Sequence, residues 1–408
     1  MRAVAGRRGA PAAGRTALRA GAATSGAPEV LAGDTCHLPE LTIQTAAAPA
    51  RRLQSGCRSL GELIVDAGAI FPLIESGWYI AAPSSCLAAA PLACRVLDHD
   101  IVLFREAAGS AHALLDRCCH RGVRLSLGTV SGDQLACGYH GWRYDGEGCC
   151  VHIPSLTQGA QPSPRARVRS FPCVEQDAYL WVWTGVDAPP APPARIGRME
   201  EFIWQQGTLA MHCAATLAIE NNLDWCHPVF AHPWTHGQFF HNQLAGFTEH
   251  SYETRVTDTG LVLFGPAAAN ETDPIPESFW FKARFDLPDR LTLEFGAGER
   301  RVIIMHLVPT GPDTCRLEWL NAIMPSSRPL AGVRVRWSEE QSAVLMQDRL
   351  LLESAQRAYE REGAGFENSV GADTSTLLAR RIIALAAQQR WPSARGTFPH
   401  RRVVAVRA

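Results

Sequence analysis

The chain has 408 residues, a formal net charge of −1 and a hydrophobic content of 46%. This length and composition are enough for one large domain or two medium ones around a buried core. The balanced charge gives no general attraction to nucleic acid or to an anionic membrane, and the lack of a run of about 18 apolar residues predicts no membrane span.

Residues 1–58 are predicted to be a disordered tail rich in alanine and arginine. The first 28 residues contain arginines but no acidic residue, and such a composition cannot bury a core. A transit peptide to an organelle has the same character, but we favour a plain tail and therefore expect a cytoplasmic protein. The 13 cysteines agree with a reducing compartment, because the chain is too long for a small domain held by disulfides.

Residues 59–186 are predicted to form a first domain built from short strands. The segment 95–104 predicts two strands around a turn at Asp98–Asp100, and the aromatic-rich segment Tyr179–Trp183 predicts a closing strand. The proline-rich segment 187–194 is incompatible with a helix or a central strand. We therefore predict a linker between two domains at that segment.

Residues 195–392 are predicted to form the second domain, and residues 393–408 a C-terminal tail. The hydrophobic periodicity changes from strand-like to helix-like along the second domain. The predicted elements are a helix over 217–229, antiparallel strands between 250 and 325, and amphipathic helices over 333–362 and 374–389.

Two short motifs in the first domain each supply one cysteine and one histidine. Cys118 and His120 are followed, after sixteen residues, by Cys137 and His140. A Rieske [2Fe–2S] cluster needs two thiolates on one iron and two imidazoles on the other. Structural zinc also accepts two cysteines and two histidines, although zinc fingers usually pair cysteine with cysteine. The spacing alone leaves both metals open, together with four unrelated buried residues.

The sequences that flank these motifs resemble the Rieske non-haem iron oxygenase family. Residues 118–128, CCHRGVRLSLG, are similar to the family's first cluster loop, and residues 137–148, CGYHGWRYDGEG, to its second. Gly138 stands where the family commonly has proline, and this departure removes no ligand. The resemblance therefore implies a [2Fe–2S] cluster of the Rieske type. Its implied ligands are Cys118, His120, Cys137 and His140.

A second group of candidate ligands lies in the segment ENNLDWCHPVFAH at 220–232. On a continuous helix Asp224 and His227 would share a face, and His232 would return to that face if Pro228 bends the helix. A ferrous site that activates O2 needs two histidines and one carboxylate on one side, with open positions on the other. The two histidines alone are weak evidence, since satisfied histidines near a helix end are more common.

The family resemblance supplies the third ligand of this mononuclear Fe(II). It implies Asp348, which lies in the segment MQDRLLLESAQ of the long C-terminal helix. Glu340 and Glu353 are the rival carboxylates. Glu353 lies five residues after Asp348 and would face another side of the helix.

Asp224 and a neighbouring asparagine have separate implied roles. In trimeric members of the family, an aspartate at this position bridges an iron-site histidine to a cluster histidine of the next subunit. Here the bridge would join His227 to His140 of another copy, and the simpler alternative is an ion pair on the helix face. Asn222 is the candidate for supporting the iron site, with Asn221 as its alternative.

The resemblance covers residues 78–390 and implies an α+β fold. A small all-β Rieske domain would hold the cluster, and a larger helix-grip domain, an antiparallel sheet with a long helix across it, would hold the iron. The implied function is the oxygenase component of a multi-component system, which takes electrons from a separate ferredoxin or flavin reductase. It would use O2 to hydroxylate, demethylate or desaturate an aromatic or other hydrophobic small molecule, and a head-to-tail homotrimer is expected.

The alternative function is a Rieske electron-transfer or ligand-binding protein without oxygenase activity. A carrier needs only the first domain, so the second group of ligands favours the enzyme. The substrate pocket of the enzyme is expected beside the iron, under the sheet. Candidate lining residues are Phe230, Trp234, Phe239, Phe240, His306 and Trp319.

Overall fold

A computed structural model describes residues 70–197, 203–232, 249–265, 280–296, 300–323 and 330–407. The predicted tail at 1–58 lies outside these residues, as does the start of the predicted first domain at 59–69. Among the helices in the described ranges, none has the length and the apolar character that a membrane crossing requires.

The segment from Trp78 to Trp183 forms eleven short strands in three antiparallel sheets. The strands are β1 (Trp78–Pro83), β2 (Leu92–Val96), β3 (His99–Arg105), β4 (Ala111–Leu115), β5 (Thr129–Ser131), β6 (Gln134–Ala136), β7 (Arg143–Tyr144), β8 (Cys150–His152), β9 (Ser170–Phe171), β10 (Cys173–Gln176) and β11 (Tyr179–Trp183). Their orders in the three sheets are β1-β11-β10, β2-β3-β4-β9 and β5-β6-β7-β8. Both strands expected around 95–104 are present, as is the strand at 179–183, and the turn between the first two begins at Leu97 with a φ of 55°.

Eight further strands among the described residues form one antiparallel sheet. They are β12 (Ile203–Met211), β13 (Glu249–Val256), β14 (Gly260–Phe264), β15 (Trp280–Asp286), β16 (Arg290–Gly296), β17 (Arg301–Gly311), β18 (Thr314–Ile323) and β19 (Arg401–Arg407). Their order in the sheet is β12-β18-β17-β16-β15-β14-β13-β19. Alternation along β17 gives this sheet two apolar faces. Met305 and Leu307 pack under the helices, whereas Ile304 and Val308 pack against the first part of the chain.

The proline-rich segment 187–194 contains neither a helix nor a strand, as its proline content requires. One apolar cluster nevertheless includes residues from both sides of it, with Tyr79 and Ile80 packed together with Ile304 and Val308. The two predicted domains therefore share part of their core, and the boundary at 187–194 stays a prediction.

The α-helices within the described residues are α1 (Ala215–Leu223), α2 (Pro228–Ala231), α3 (Leu330–Glu362) and α4 (Thr374–Ala387). The single helix predicted over 217–229 is wrong, because α1 ends at Leu223 and Asp224 has the extended angles φ −85° and ψ 115°. Pro228 explains the break, since it has no N–H to donate to the Asp224 carbonyl. That carbonyl instead accepts a hydrogen bond from Nδ1 of His227 at 2.9 Å.

The prediction that residues 393–408 form a C-terminal tail is wrong for residues 401–407. Residues Arg401–Arg407 pair with β13 and extend the large sheet by one edge strand. Val404 of this strand packs against the apolar core, so a run rich in β-branched residues finds a half-buried surface. The α+β fold itself is confirmed, with all-β sheets first and a large antiparallel sheet crossed by helices second.

Candidate metal centres

The two cysteine–histidine motifs lie in two loops that close in the same way. The N–H of Gly122 donates to the Cys118 carbonyl at 2.9 Å, and the N–H of Gly141 donates to the Cys137 carbonyl at 3.0 Å. Both glycines have φ near +70°, at 74° and 69°, a conformation that other residues rarely adopt. The glycine four residues after each cysteine therefore allows the loop to turn its cysteine and histidine toward one point.

The four side chains come together as one pair of thiols and one pair of imidazoles. Cys118 and Cys137 are both 3% exposed, and burial together with the adjacent Cys118 thiol raises the pKa of Cys137. The rings of His120 and His140 lie nearer the surface, with centroids 4.6 Å apart. Nδ1 of His120 is buried without a hydrogen-bond partner. Two inner thiols and two outer imidazoles, one of them with an orphaned nitrogen, fit a [2Fe–2S] cluster.

Two aromatic residues beside the cluster loops received no role from the sequence. The Tyr144 hydroxyl lies 3.1 Å from Sγ of Cys118, and Trp142 stacks on the His120 ring at 4.5 Å. Both lie in the second loop motif, and this position was the only feature of the sequence that could have pointed to their role. A hydroxyl near a thiolate can donate to it, and such contacts tune a metal centre.

The second group of ligands meets on the helical side of the large sheet. Nε2 of His232 lies 3.1 Å from Oδ1 of Asp348, and Nε2 of His227 lies 3.6 Å from the same oxygen. Ligand atoms of the three residues all lie within 4.8 Å of one another. The break between α1 and α2 places both histidines opposite α3, which carries Asp348.

Two hydrogen bonds orient the histidine rings. Nδ1 of His227 donates to the Asp224 carbonyl at 2.9 Å, and Nδ1 of His232 donates to Oε1 of Gln347 at 2.8 Å. Each Nε2 is therefore left as the lone-pair nitrogen that a metal binds. Gln347 was missed, because only its position next to Asp348 would have drawn attention to it.

The donor set fits a divalent iron. Oδ1 of Asp348 is close to both imidazoles but makes no well-aligned hydrogen bond, as expected for lone pairs that point to a common centre. Burial lowers the pKa of His227, which favours the neutral ring needed for metal binding. Burial acts in the same direction on His232, but its contacts with Asp348 and Gln347 outweigh it and raise the pKa of His232.

The other predicted residues lie close to this triad or away from it. Asp224 and Asn222 line the same cavity; Oδ1 of Asp224 accepts the Cys226 N–H at 2.8 Å, and the Asn222 amide donates to Ala218 within α1 at 2.8 Å. The rival Glu353 instead accepts from the His212 N–H at 3.0 Å. Neither Glu353 nor Glu340 belongs to the group around Asp348.

An apolar cavity of about 80 Å³ lies beside the triad among the described residues. Its apolar walls come from alternate positions of the sheet strands, from the middle of α3 and from the loop after α1. These residues are Trp225, Phe281, Leu293, Phe295, Ile303, Met305, Val344 and Leu345.

Three of the six pocket residues predicted from the sequence are described in the structure, and those three do not line this cavity. His306 is wrong, because it lies on the opposite face of β17 from Met305, as strand alternation requires. Phe230 is 66% exposed, and Trp319 packs over Gly207. Trp234, Phe239 and Phe240 lie outside the described residues.

Comparison with known families gives two matches in chain order. The Rieske [2Fe–2S] domain matches residues 77–172, and the vanillate O-demethylase oxygenase C-terminal domain matches residues 211–389. The first match contains all four candidate cluster ligands, and the second contains His227, His232 and Asp348.

Individual curated relatives match over shorter spans. The dicamba O-demethylase oxygenase component of Stenotrophomonas maltophilia is 37% identical over 39% of this chain and 48% of that protein. The iron–sulfur subunit of the toluene-4-sulfonate monooxygenase system of Comamonas testosteroni is 32% identical over 40% and 48%. A vanillate O-demethylase oxygenase subunit of Pseudomonas sp. (strain HR199 / DSM 7063) is 30% identical over 56% and 66%. The chain thus spans about half the length of the first two.

Solved structures extend the likeness over most of the chain. Dicamba monooxygenase bound to dicamba superposes with a TM-score of 0.66 at 24% identity, over 78% of this chain and 98% of that one. A Pseudomonas putida CBB5 NdmA mutant with theobromine gives a TM-score of 0.63 at 24% identity, over 76% and 90%. At this identity the structures support the fold alone, but the two consecutive domain matches go further. The chain belongs to the Rieske non-haem iron oxygenases.

Proposed function

We propose that the chain is the oxygenase component of a Rieske system that hydroxylates or demethylates a small aromatic molecule. The observation that carries this proposal is the His227, His232 and Asp348 triad at the edge of an apolar cavity. Two imidazoles and one carboxylate on one side of a site are the donor set of oxygen-activating ferrous enzymes. When bound, the cluster supplies single electrons and the iron supplies the site of O2 activation.

The residues of the chain account for binding and positioning. Phe281 and Phe295 present aromatic walls beside the triad, and Ile303 and Met305 present aliphatic ones. Such walls favour a flat apolar molecule close to the triad. The relatives are named for dicamba, toluene-4-sulfonate and vanillate, so an aromatic substrate agrees with the walls. The choice between hydroxylation, demethylation and desaturation depends on which carbon faces the iron.

His232→Ala is the variant that tests the proposal. We expect the full-length wild type, purified without oxygen, to hold about three irons per chain and to give a rhombic Rieske EPR signal after reduction. The variant should keep that signal, lose about one iron, and lose substrate-coupled O2 consumption. His212→Ala is the matched control, because the His212 side chain is exposed. Normal turnover by His232→Ala would refute the assignment of this site.

The same samples distinguish the alternative, a Rieske electron carrier or ligand-binding protein. A carrier would show the cluster signal with about two irons per chain and no O2 consumption with any aromatic compound. The presence of the His227, His232 and Asp348 triad favours the oxygenase over the electron carrier.

We also propose that the enzyme is a head-to-tail homotrimer in which Asp224 bridges His227 to His140 of the next subunit. Asp224 adjoins the triad, and His140 is exposed at the tip of its cluster loop, so both ends of the bridge fit this role. Asp224→Asn should leave both metals bound and slow turnover strongly, because a hydrogen-bonded carboxylate couples electron transfer to protonation. Near-normal turnover in that variant, or a monomer in solution, would refute the bridge.

The electron donor in this proposal is a separate ferredoxin or flavin reductase, since the two matched domains are assigned to cluster and oxygenase. No disulfide joins the cysteines in the described part of the chain, which supports a reducing, cytoplasmic location. No nucleic acid partner is proposed, in keeping with the net charge of −1.

A further inference from the structure

The hydroxyl group of Tyr144 connects a candidate cluster ligand to a neighbouring cysteine that is not a ligand. Tyr144 lies on β7, pairs with Leu135 of β6 and is fully buried. Its hydroxyl oxygen lies 3.1 Å from Sγ of Cys118, and 3.3 Å from both the backbone nitrogen and Sγ of Cys119. Within the described part of the chain, these two cysteines are the hydrogen-bond partners of this hydroxyl.

The first cluster loop holds both cysteines against the tyrosine. The N–H of Cys118 donates to the Val123 carbonyl at 2.8 Å, and the N–H of Gly122 donates to the Cys118 carbonyl at 2.9 Å. Cys119 lies between Cys118 and His120, and its Sγ contacts the buried hydroxyl although the residue as a whole is exposed. Because its N–H makes the same contact, the backbone as well as the side chain of Cys119 lies against the tyrosine.

The chemistry of a bound cluster decides the direction of these hydrogen bonds. A cysteine that ligates iron is a thiolate without a proton, so Cys118 can only accept. A backbone N–H can only donate, so that of Cys119 donates to the Tyr144 oxygen. The tyrosine proton is then left for Cys118, and the second lone pair of the oxygen accepts from the Cys119 thiol. Cys119 thus supplies two donors to the hydroxyl whose own proton faces the cluster ligand.

Such a chain of contacts acts on the electron affinity of the cluster. Hydrogen bonds to the sulfur ligands help to set the reduction potential of an iron–sulfur centre. A donor to sulfur stabilises the reduced form more than the oxidised form, because the reduced form carries one more negative charge. Hydrogen bonds in a chain also polarise one another, so the two donors of Cys119 strengthen the bond from Tyr144 to Cys118.

We propose that Cys119 is a positioning residue that raises the reduction potential of the Rieske cluster through the hydroxyl of Tyr144. Uptake of one electron from the donor protein forms and breaks no covalent bond in this chain of contacts. It strengthens the hydrogen bonds, because the Cys118 sulfur gains negative charge. The potential belongs to the cluster alone, so this role of Cys119 does not depend on the proposed oxygenase reaction.

The test is a reductive titration of the full-length, cluster-loaded protein without oxygen, followed by the Rieske EPR signal. Tyr144→Phe keeps the ring but removes the hydroxyl, and it should lower the equilibrium constant for reduction about tenfold, or about 59 mV. Cys119→Ala removes only the thiol donor and should lower this constant about threefold, or about 28 mV. Cys119→Ser keeps a side-chain donor and should stay within about twofold of the wild type.

A double variant separates action through the tyrosine from other effects of Cys119. In the Tyr144→Phe background, Cys119→Ala should leave the potential unchanged, because the acceptor of its thiol is already gone. Cys86→Ala is the matched control, since Cys86 is also an exposed cysteine but follows β1, outside the cluster loops. It should titrate like the wild type.

Three results would each overturn the proposal: a wild-type potential in Cys119→Ala, equal shifts in Cys119→Ala and Cys119→Ser, or the same shift by Cys119→Ala with and without the Tyr144 hydroxyl. If Tyr144→Phe loses the cluster, the comparison of the two Cys119 variants decides alone. The titration needs neither substrate nor O2. A protein that titrates as expected but consumes no O2 would therefore refute the proposed function and uphold the role of Cys119.

Discussion

Single side chains around the triad decide whether its imidazoles face the metal. Gln347 is the example, because its Oε1 accepts from Nδ1 of His232 at 2.8 Å and so fixes which nitrogen faces Asp348. We expect Gln347→Leu to weaken iron binding about 10- to 100-fold, the usual cost of losing such an orienting contact. Iron content after dialysis against a graded series of chelator concentrations measures the effect.

Met346→Ala is the matched control for this variant, since Met346 is adjacent in sequence but 51% exposed. It should retain iron like the wild type. The cluster EPR signal should be unchanged in both variants, because Gln347 lies at the mononuclear site. Equal iron retention by Gln347→Leu and the wild type would show that the hydrogen bond does not orient His232.

The same residues show what sequence reasoning could and could not reach. The cluster loops were predictable because each is a local motif, with Gly122 and Gly141 closing loops of five residues. Gln347 was not, because its contact with His232 spans 115 residues. His306 was placed in the substrate pocket in error, since a strand pattern marks alternate faces but not which face meets the iron.

At the scale of elements, the break between two helices positions the iron ligands as much as the helices themselves do. The break at Asp224 could have been predicted from Pro228, because a proline leaves the carbonyl four residues earlier without its donor. The edge strand β19 could not, since its stability depends on pairing with β13, which is distant in sequence. Pairing with β13 therefore gives strand structure to a segment whose local sequence predicts a tail.

Through its hydrogen bonds, Glu353 links the residue that follows β12 to α3, the helix that carries Asp348. It accepts from the His212 N–H at 3.0 Å and from Nε of Arg349 at 2.7 Å, and these contacts hold the pKa of Glu353 below its usual range. The ionised form is therefore favoured by folding, and its stabilisation is present above the ordinary glutamate pKa of about 4.3. That stabilisation is lost as the pH falls through the lower pKa of the folded state.

Glu353→Gln should consequently be less stable than the wild type by roughly 1–2 kcal/mol at pH 7. The difference in free energy of unfolding should shrink as the pH falls below about 4.3. Urea unfolding curves at several pH values, with metal content held constant, measure this. Glu362→Gln, at an exposed position near the end of α3, should show neither effect. A difference that stays constant with pH would contradict the role assigned to the carboxylate.

At the scale of the whole molecule, one apolar core joins the iron-bearing sheet to strands of the first part of the chain, and the two cluster cysteines lie in a neighbouring core. Ile304 is 3% exposed and packs in the same group of apolar side chains as Tyr79, Ile80 and Trp181. The sheet therefore uses one face to line the iron cavity and the other to hold the cluster-bearing part. This shared core explains why the proline-rich segment does not separate two independent hydrophobic interiors.

Ile304→Ala should therefore destabilise both parts together. Removing a buried isoleucine side chain costs about 2–5 kcal/mol, and the cavity would open between the two parts. We expect the loss of visible cluster absorbance and the loss of far-UV ellipticity on heating to move to lower temperature by the same amount. Val403→Ala, at a 56% exposed position on β19, should leave both transitions in place within about 0.5 kcal/mol. If only the far-UV transition moved in Ile304→Ala, the two parts would unfold independently, and the apolar cluster would not join them into one cooperative unit.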